Sequence, residues 1–228
     1  MKAFITMFNL ITWPKKLAED LSKLGCEVIL IDSNSTYPPL LEWYEHCPYK
    51  IHRLKENWLS CAFFKTDIYD QYKDDRFFIL TDPDLDISET PKDFIEVLKK
   101  GLENTDVPYL WKAGLSLSIK NLPVNDMTKR VIHHERVFWM DNRLNDYGFY
   151  VAPIVTTLAV YDRTKSSFYL NGTHWSDQFS RALRSPYPYT CKHIPWSLTK
   201  EDLTDELKYF IETTGWPGWL SKKIYKDL

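Results

Sequence analysis

Three short apolar runs, Ala3 to Met7, Val28 to Ile31 and Phe77 to Leu80, constrain this chain more than anything else in it. Each is too short for an ordinary helix and lacks polar alternation, which is the pattern of a strand buried on both faces. Between the first two runs, Thr12 and Pro14 signal a helix start. Leu17, Leu21 and Leu24 then fall at i, i+4 and i+7, and Gly25 supplies the stop. Strand, helix and strand in that order make a βαβ unit, and a parallel sheet follows from it. Pro38 and Pro39 open a second helix through Leu40 to Cys47. Thr90, Pro91 and Asp93 open a third to Lys100, with Phe94, Ile95 and Leu98 facing inward. The first hundred residues therefore read as α/β.

The second half is less regular. Leu115, Leu117 and Ile119 alternate with small polar residues and suggest a half-exposed strand, and Ile154 to Tyr161 reads as another strand. Residues 121–150 are polar and aromatic without clear periodicity, as a binding loop would be. Thr199 and Asp202 resemble a capping box, and Leu203, Leu207, Phe210 and Ile211 share one face of a C-terminal helix. With no internal repeat and no low-complexity linker, residues 1–228 read as one domain, with an α/β front and a mixed α+β back.

Composition narrows the function classes. The formal net charge is −2, from 29 Lys plus Arg against 31 Asp plus Glu, and no basic run exists to track a nucleic-acid backbone. At 44% hydrophobic and 15% aromatic residues the chain is not a disordered one. Its 9 Trp, 14 Tyr and 12 Phe beside 7 Gly suit either a rigid core or surfaces that stack on sugars or bases. No apolar stretch is long enough to span a bilayer, and Met1 to Ile11 reads as a first strand rather than a signal peptide. Cys26, Cys47, Cys61 and Cys191 form no CxxC pair and read as reduced thiols, so a soluble cytoplasmic protein is expected. The N-x-S/T matches at Asn34 and Asn171 then read as coincidental.

The sharpest chemical signal is Asp82-Pro83-Asp84-Leu85-Asp86, directly after an apolar run. Side chains at the carboxyl end of a central strand emerge where open α/β sheets bind ligands. Three carboxylates so close repel one another unless a cation or donors offset them, and Mg²⁺ or Mn²⁺ takes carboxylate oxygens while bridging to phosphates. A solvated acidic turn is the plainer reading of the same residues. Phosphatases of the haloacid-dehalogenase type carry a DxDx(T/V) motif, but near the chain start, and Asp86 stands where that motif needs Thr or Val. Nucleotide-sugar glycosyltransferases place their aspartates about a third of the way along, after two nucleotide-holding strands, as here.

At that point the chain resembles the small GT-A-fold glycosyltransferases, with relatives in bacteria and large DNA viruses. The resemblance covers most of the chain. Its blocks are Thr6 to Asn9, Ile31 to Thr36, Leu80 to Asp84, Lys112 to Leu115, Ile154 to Thr157 and Tyr189 to Trp196. It implies a GT-A-like fold, with residues 1–110 as the nucleotide-sugar half and 111–228 as the acceptor half. It also implies that Asp32 binds the nucleobase and that Thr6, Asn9, Asn34, Arg53 and Asn57 help line the nucleotide pocket. Asp82 and Asp84 would manage ribose and a Mn²⁺ or Mg²⁺ ion, and His193 would return as a metal or diphosphate ligand. Glu135, before Phe138-Trp139, and Asp177, after His174-Trp175, are the acceptor-side candidates for catalysis. The implied partners are a nucleotide-sugar donor, UDP-linked by preference, and a glycan or glycoprotein acceptor, with no nucleic acid.

Two departures stand out. Val155 replaces the Asp that relatives place before the Thr-Thr pair, leaving the base and the inverting or retaining outcome open, and Trp58 replaces a Gly after the position of Asn57. Two other readings stay in play, a phosphatase or phosphotransferase with Asp82 as nucleophile and a non-catalytic carbohydrate-binding module. His133, His134 and Glu135 are adjacent, so they point in different directions and do not form a joint metal site. Trp196 reads as core. Among the other aromatics, Phe77, Phe78, Phe94 and Phe210 belong to periodic elements and read as core. Phe138, Trp139, Tyr147, Tyr150 and Trp175 are the better candidates for sugar contacts.

Overall fold

The computed structural model describes residues 1–105, 110–154, 157–165 and 181–215. The front half begins β1 (Lys2–Met7), α1 (Thr12–Lys23), β2 (Glu27–Asp32), α2 (Pro38–Tyr44) and β3 (Lys50–Arg53). Short helices α3 (Ala62–Lys65) and α4 (Ile68–Gln71) lead to β4 (Phe77–Thr81), β5 (Leu85–Asp86) and α5 (Phe94–Asn104). The back half holds β6 (Lys112–Gly114), β7 (Ser116–Leu117), α6 (Asp126–Glu135), β8 (Tyr150–Pro153) and β9 (Ala159–Asp162). It closes with β10 (Arg181–Arg184), β11 (Thr190–His193) and α7 (Asp205–Thr213).

The architecture is mixed α/β around an eight-stranded sheet of order β3-β2-β1-β4-β9-β6-β10-β8. The four front strands are parallel to one another, and β9 runs antiparallel between β4 and β6. A second, three-stranded sheet has the order β5-β11-β7. Alternation along the central strands divides the interior into two cores. Ala3, Ile5, Val28, Leu30 and Ile79 meet Leu17 and Leu21 of α1 and Leu98 and Leu102 of α5. Phe4, Ile29, Ile31 and Phe78 meet the aromatic layer of Phe63, Phe64, Trp111 and Tyr161. Phe78 and Tyr161, paired across β4 and β9, stack at 5.0 Å with their planes 8° apart. Much of the aromatic excess is thus core. Gly25 ends α1 in the left-handed region at φ +80°, as its place after Leu24 requires.

The back half corrects several expectations. Leu115 and Leu117 lie in a fully buried segment, because β6 is interior to the large sheet and β7 pairs with β11. The small polar residue between them is not a solvent-facing one: Ser116 donates to the Ser185 carbonyl at 2.7 Å. Ile154 to Tyr161 is not one strand; β8 ends at Pro153 and β9 begins at Ala159. Residues 121–150 are not a loop throughout, for α6 occupies ten of them. The Asn125 side chain accepts from the Thr128 N–H at 2.9 Å, and Thr128 Oγ1 accepts from the Asn125 N–H at 3.2 Å, so a capping box with Thr as its reciprocal residue nucleates a polar helix. The Thr199–Asp202 box is present but closes a single 3-10 turn, and α7 starts later, capped by Thr204.

All four cysteines are free, Cys26 and Cys191 being buried, and burial pushes the Cys191 thiol up to about 12. Among the described residues no helix is long and apolar enough to cross a membrane.

Asp162 ends β9 with a carboxylate that is fully buried. It accepts hydrogen bonds from Arg76 at 2.9 and 3.3 Å and from the Thr164 N–H and hydroxyl at 3.0 and 2.6 Å. Burial would raise its pKa, but the Arg76 and Thr164 donors outweigh it and hold the group below the usual carboxylate value. Its stabilisation is therefore complete above the ordinary Asp pKa and is lost as pH falls through the depressed folded value. In urea titrations Asp162→Asn should cost about 2 kcal/mol at neutral pH and flatten the loss of stability below about pH 4.

Candidate functional site

The chain leaves β4 through Thr81 into Asp82-Pro83-Asp84, at the carboxyl end of a strand that lies beside β1. There a small open cleft is lined by Thr6, Ser60, Thr81, Asp82, Lys112 and Thr157 among others. The alternation that sends Phe4 and Phe78 into the aromatic layer sends Thr6 and Asp82 to the upper rim of the same face. Thr6 donates to the Thr81 carbonyl at 3.3 Å, which ties the two strand ends together. Desolvation first and the Asp84 charge second push the Asp82 carboxyl above the usual carboxylate value, while the Thr6 hydroxyl pulls the other way.

Asp84 meets His193. Strand β11 returns antiparallel to β5, with His193 opposite Leu85, and the Ile194 N–H donates to the Asp84 carbonyl at 2.9 Å. His193 Nε2 then lies 3.3 Å from Asp84 Oδ2, with both side chains largely buried. The opposite atoms of the pair, Asp84 Oδ1 and His193 Nδ1, are buried without a hydrogen-bond partner. Trp196 is 1% exposed and packs 4.8 Å from the His193 ring, so it backs the histidine as core. Among the described residues no three His, Cys, Asp or Glu side chains form a complete metal cage. Asp84 and His193 offer two donors, so a hard cation there would need further ligands from outside the protein.

The remaining nucleotide-side candidates gather at the ends of β1, β2 and β3. Asp32 is fully buried, and it accepts from the Arg53 Nε at 3.1 Å and from the Ser35 N–H at 3.3 Å. Arg53, half-exposed, also donates to the Ser35 carbonyl at 3.0 Å. Beneath them, burial and the neighbouring Asp32 carboxylate push the Tyr44 phenol well above its usual pKa. As placed, Asp32 orients Arg53 and the 33–37 turn. Asn9 is fully buried at φ 47°, and its side chain is used up: Oδ1 accepts from the Thr36 and Tyr37 N–H groups at 2.6 and 3.0 Å, and Nδ2 donates to Thr213 at 2.9 Å. Asn34 is exposed, in the left-handed region at φ 64° that Asn tolerates. Asn57 accepts from the Leu59 N–H at 3.1 Å and shapes the turn before α3.

The acceptor-side candidates are placed differently. Glu135 closes α6 with a carboxylate buried in an ion pair, 2.6 Å from Arg184 Nη2 on β10. Arg184 in turn covers the Phe138 ring at 4.7 Å. Glu135 is thus engaged by Arg184, and no described contact joins it to Asp82 or Asp84. His133 and His134 are exposed where Glu135 is buried, as adjacency on a helix requires. Phe138, Trp139 and Tyr150 are half-buried and Tyr147 is exposed; of the four aromatics expected in the core, Phe78 and Phe94 are buried but Phe77 and Phe210 are only half-buried. Asp177, His174, Trp175, Val155 and Asn171 lie outside the described residues.

Sequence reasoning assigned no role to Lys112. It sits inside β6, is 1% exposed, lines the cleft and donates to the Ile154 carbonyl at 3.3 Å. A buried ammonium is costly unless something offsets its charge. The available signal was a lysine between Trp111 and Ala113 in an otherwise apolar strand context.

No protein-family model matches the chain, and no curated protein matches it. Among solved structures, it is similar to Staphylococcus aureus TarS residues 1–349, at 13% identity and a TM-score of 0.47, over 95% of this chain and 66% of that one. It is also similar to 4-diphosphocytidyl-2C-methyl-D-erythritol synthase from Anaerococcus prevotii, at 10% identity and a TM-score of 0.43, over 82% of this chain and 90% of that one. The chain therefore spans just under two thirds of the TarS chain. Likeness at this level carries no argument about function.

Gly114 is packed closely against Ile154, which lines the cleft, and against the Leu158 backbone. A Cβ there would stand 2.7 Å from Ile154 Cδ1 and 2.9 Å from the Leu158 carbonyl oxygen. Gly114→Ala should lower stability by roughly 1–3 kcal/mol through overpacking, read as a drop in Tm.

Proposed function

We propose that this chain is a metal-dependent glycosyltransferase that moves a hexose from a nucleoside diphosphate, UDP by preference, to a hydroxyl of a glycan or glycoprotein acceptor. The observation that carries the reading is the Asp84–His193 pair at the end of β4, with buried unpartnered atoms on both residues, beside a cleft that holds Asp82. The ordered sequence blocks that resemble GT-A glycosyltransferases support it independently.

In the transfer, the bond between the anomeric carbon and the diphosphate oxygen breaks, and a bond to the acceptor oxygen forms. The diphosphate leaves as an anion, and the acceptor proton passes to a base. Asp84 and His193 would hold a Mn²⁺ or Mg²⁺ ion together with the substrate diphosphate, and Asp82 would help from the cleft. Such an ion, when bound, neutralises charge on the leaving diphosphate. Lys112, held by the Ile154 carbonyl, adds a polar side chain to the same wall. Thr6 fixes the position of the strand end that carries Asp82. The Asp32–Arg53 pair and the 33–37 turn form the nucleotide end of the site. Half-buried Phe138, Trp139 and Tyr150 offer apolar faces on the acceptor side.

Asp84→Ala should keep the circular dichroism spectrum and lose Mn²⁺-dependent binding of UDP by calorimetry, with turnover of a UDP-sugar falling at least a hundredfold. Retention of metal-dependent donor turnover in that variant would sink the assignment.

A further inference from the structure

The last helix is built into the nucleotide end of the site. Glu206 of α7 is 9% exposed, and its carboxylate is spent on a distant part of the chain. Oε1 accepts from the Ile11 N–H at 2.5 Å and the Thr12 N–H at 2.9 Å, and Oε2 accepts from the Thr12 hydroxyl at 2.5 Å. These groups open α1, whose first residues have no side-chain cap of their own. Glu206 therefore supplies, from about two hundred residues away, both the missing acceptor and the negative charge that a helix start favours.

Two further residues of α7 reach the same region. Thr213 accepts from Asn9 Nδ2 at 2.9 Å, and Asn9 holds the Thr36 and Tyr37 N–H groups through its Oδ1. The Tyr209 hydroxyl lies 3.0 Å from Thr36 Oγ1, with its ring 5.1 Å from that of Tyr37. Leu207 and Ile211 bury against Leu10, with Ile194 from the turn after His193 packed on the same cluster. One helix thus fastens the loop after β1, the loop after β2 and the His193 turn. These loops leave the carboxyl ends of parallel strands, where ligands of such sheets bind.

We propose that α7 is a strap that positions the nucleotide end of the donor site, with Glu206 as its principal positioning residue. The proposal rests on the donor-site reading above, because it assigns the strapped loops to nucleotide binding. Glu206→Ala removes all three hydrogen bonds. Thr213→Val keeps shape but leaves Asn9 without its partner on α7. Glu206→Gln keeps an acceptor for both N–H groups.

The test combines amide hydrogen exchange of segments 8–12 and 33–37 with calorimetric titration of UDP in Mn²⁺, at a temperature where circular dichroism shows every variant folded. Exchange in both segments should quicken at least tenfold in Glu206→Ala, and UDP affinity should fall about tenfold. Thr213→Val should show a smaller effect of the same sign, centred on 33–37, and Glu206→Gln should restore most of the affinity. A role in overall stability alone would lower Tm and leave UDP affinity of the folded variants at the wild-type value, and that result overturns the proposal. Unchanged exchange in Glu206→Ala and Thr213→Val overturns it as well. If the wild-type protein binds no nucleoside diphosphate, the donor-site reading fails and the positioning role with it, while faster exchange in Glu206→Ala still identifies the strap.

Discussion

The structure hangs on β1. Ala3, Phe4 and Ile5 have no solvent exposure, and β1 pairs in parallel with β2 on one side and β4 on the other. A strand apolar on both faces must be covered on both, so one six-residue segment nucleates two cores at once, an aliphatic one under α1 and α5 and an aromatic one under α3 and α4. It also fixes the functional end. The register that places Ile5 against Thr81 and Met7 against Asp32 brings the tips of three strands to one level. The polar residues Thr6 and Asp82 therefore meet at one strand end, with Asp32 at the tip of the neighbouring strand on the other face of the sheet.

Polar groups at that end fall into two economies. Asn9, Asp32 and Glu206 have exchanged water for protein donors and hold the loops in place. Asp84 and His193 face each other with an unpartnered buried atom apiece, the arrangement expected where a bound species completes the set. Asp82 adds repulsion and desolvation at the cleft.

In the front half, β1, β2, β4, α1 and α5 were legible because each obeys a single period, whereas β3, α3, α4 and β5 are too short to show one. Leu17 and Leu21 face inward as their spacing demands, and Val28 to Ile31 is buried throughout. The back half was harder to read for identifiable reasons. Ser116 looked like the polar side of an alternating strand, yet it is buried because the Ser185 carbonyl accepts its hydroxyl proton. The helix α6 is nearly all polar on its outer face and is started by an Asn–Thr box, so its apolar stripe is only Met127 and Val131. Glu135 read as an acceptor-side candidate, but its carboxylate is held by Arg184, 49 residues further on. Two residues that shape the site, Lys112 and Glu206, carry no local motif.

The sequence by itself determined the periods of β1, β2, β4, α1 and α5 and the carboxylate cluster after β4. These properties are local, set by side-chain spacing and backbone chemistry within a few residues. Only the tertiary structure decided that β11 would carry His193 to Asp84, that Arg184 would occupy Glu135, and that Glu206 would cap a helix near the opposite end of the chain. Such pairings join residues far apart in sequence and are selected by burial: once the surrounding apolar surfaces pack, each polar group removed from water must find its partner there or remain unsatisfied.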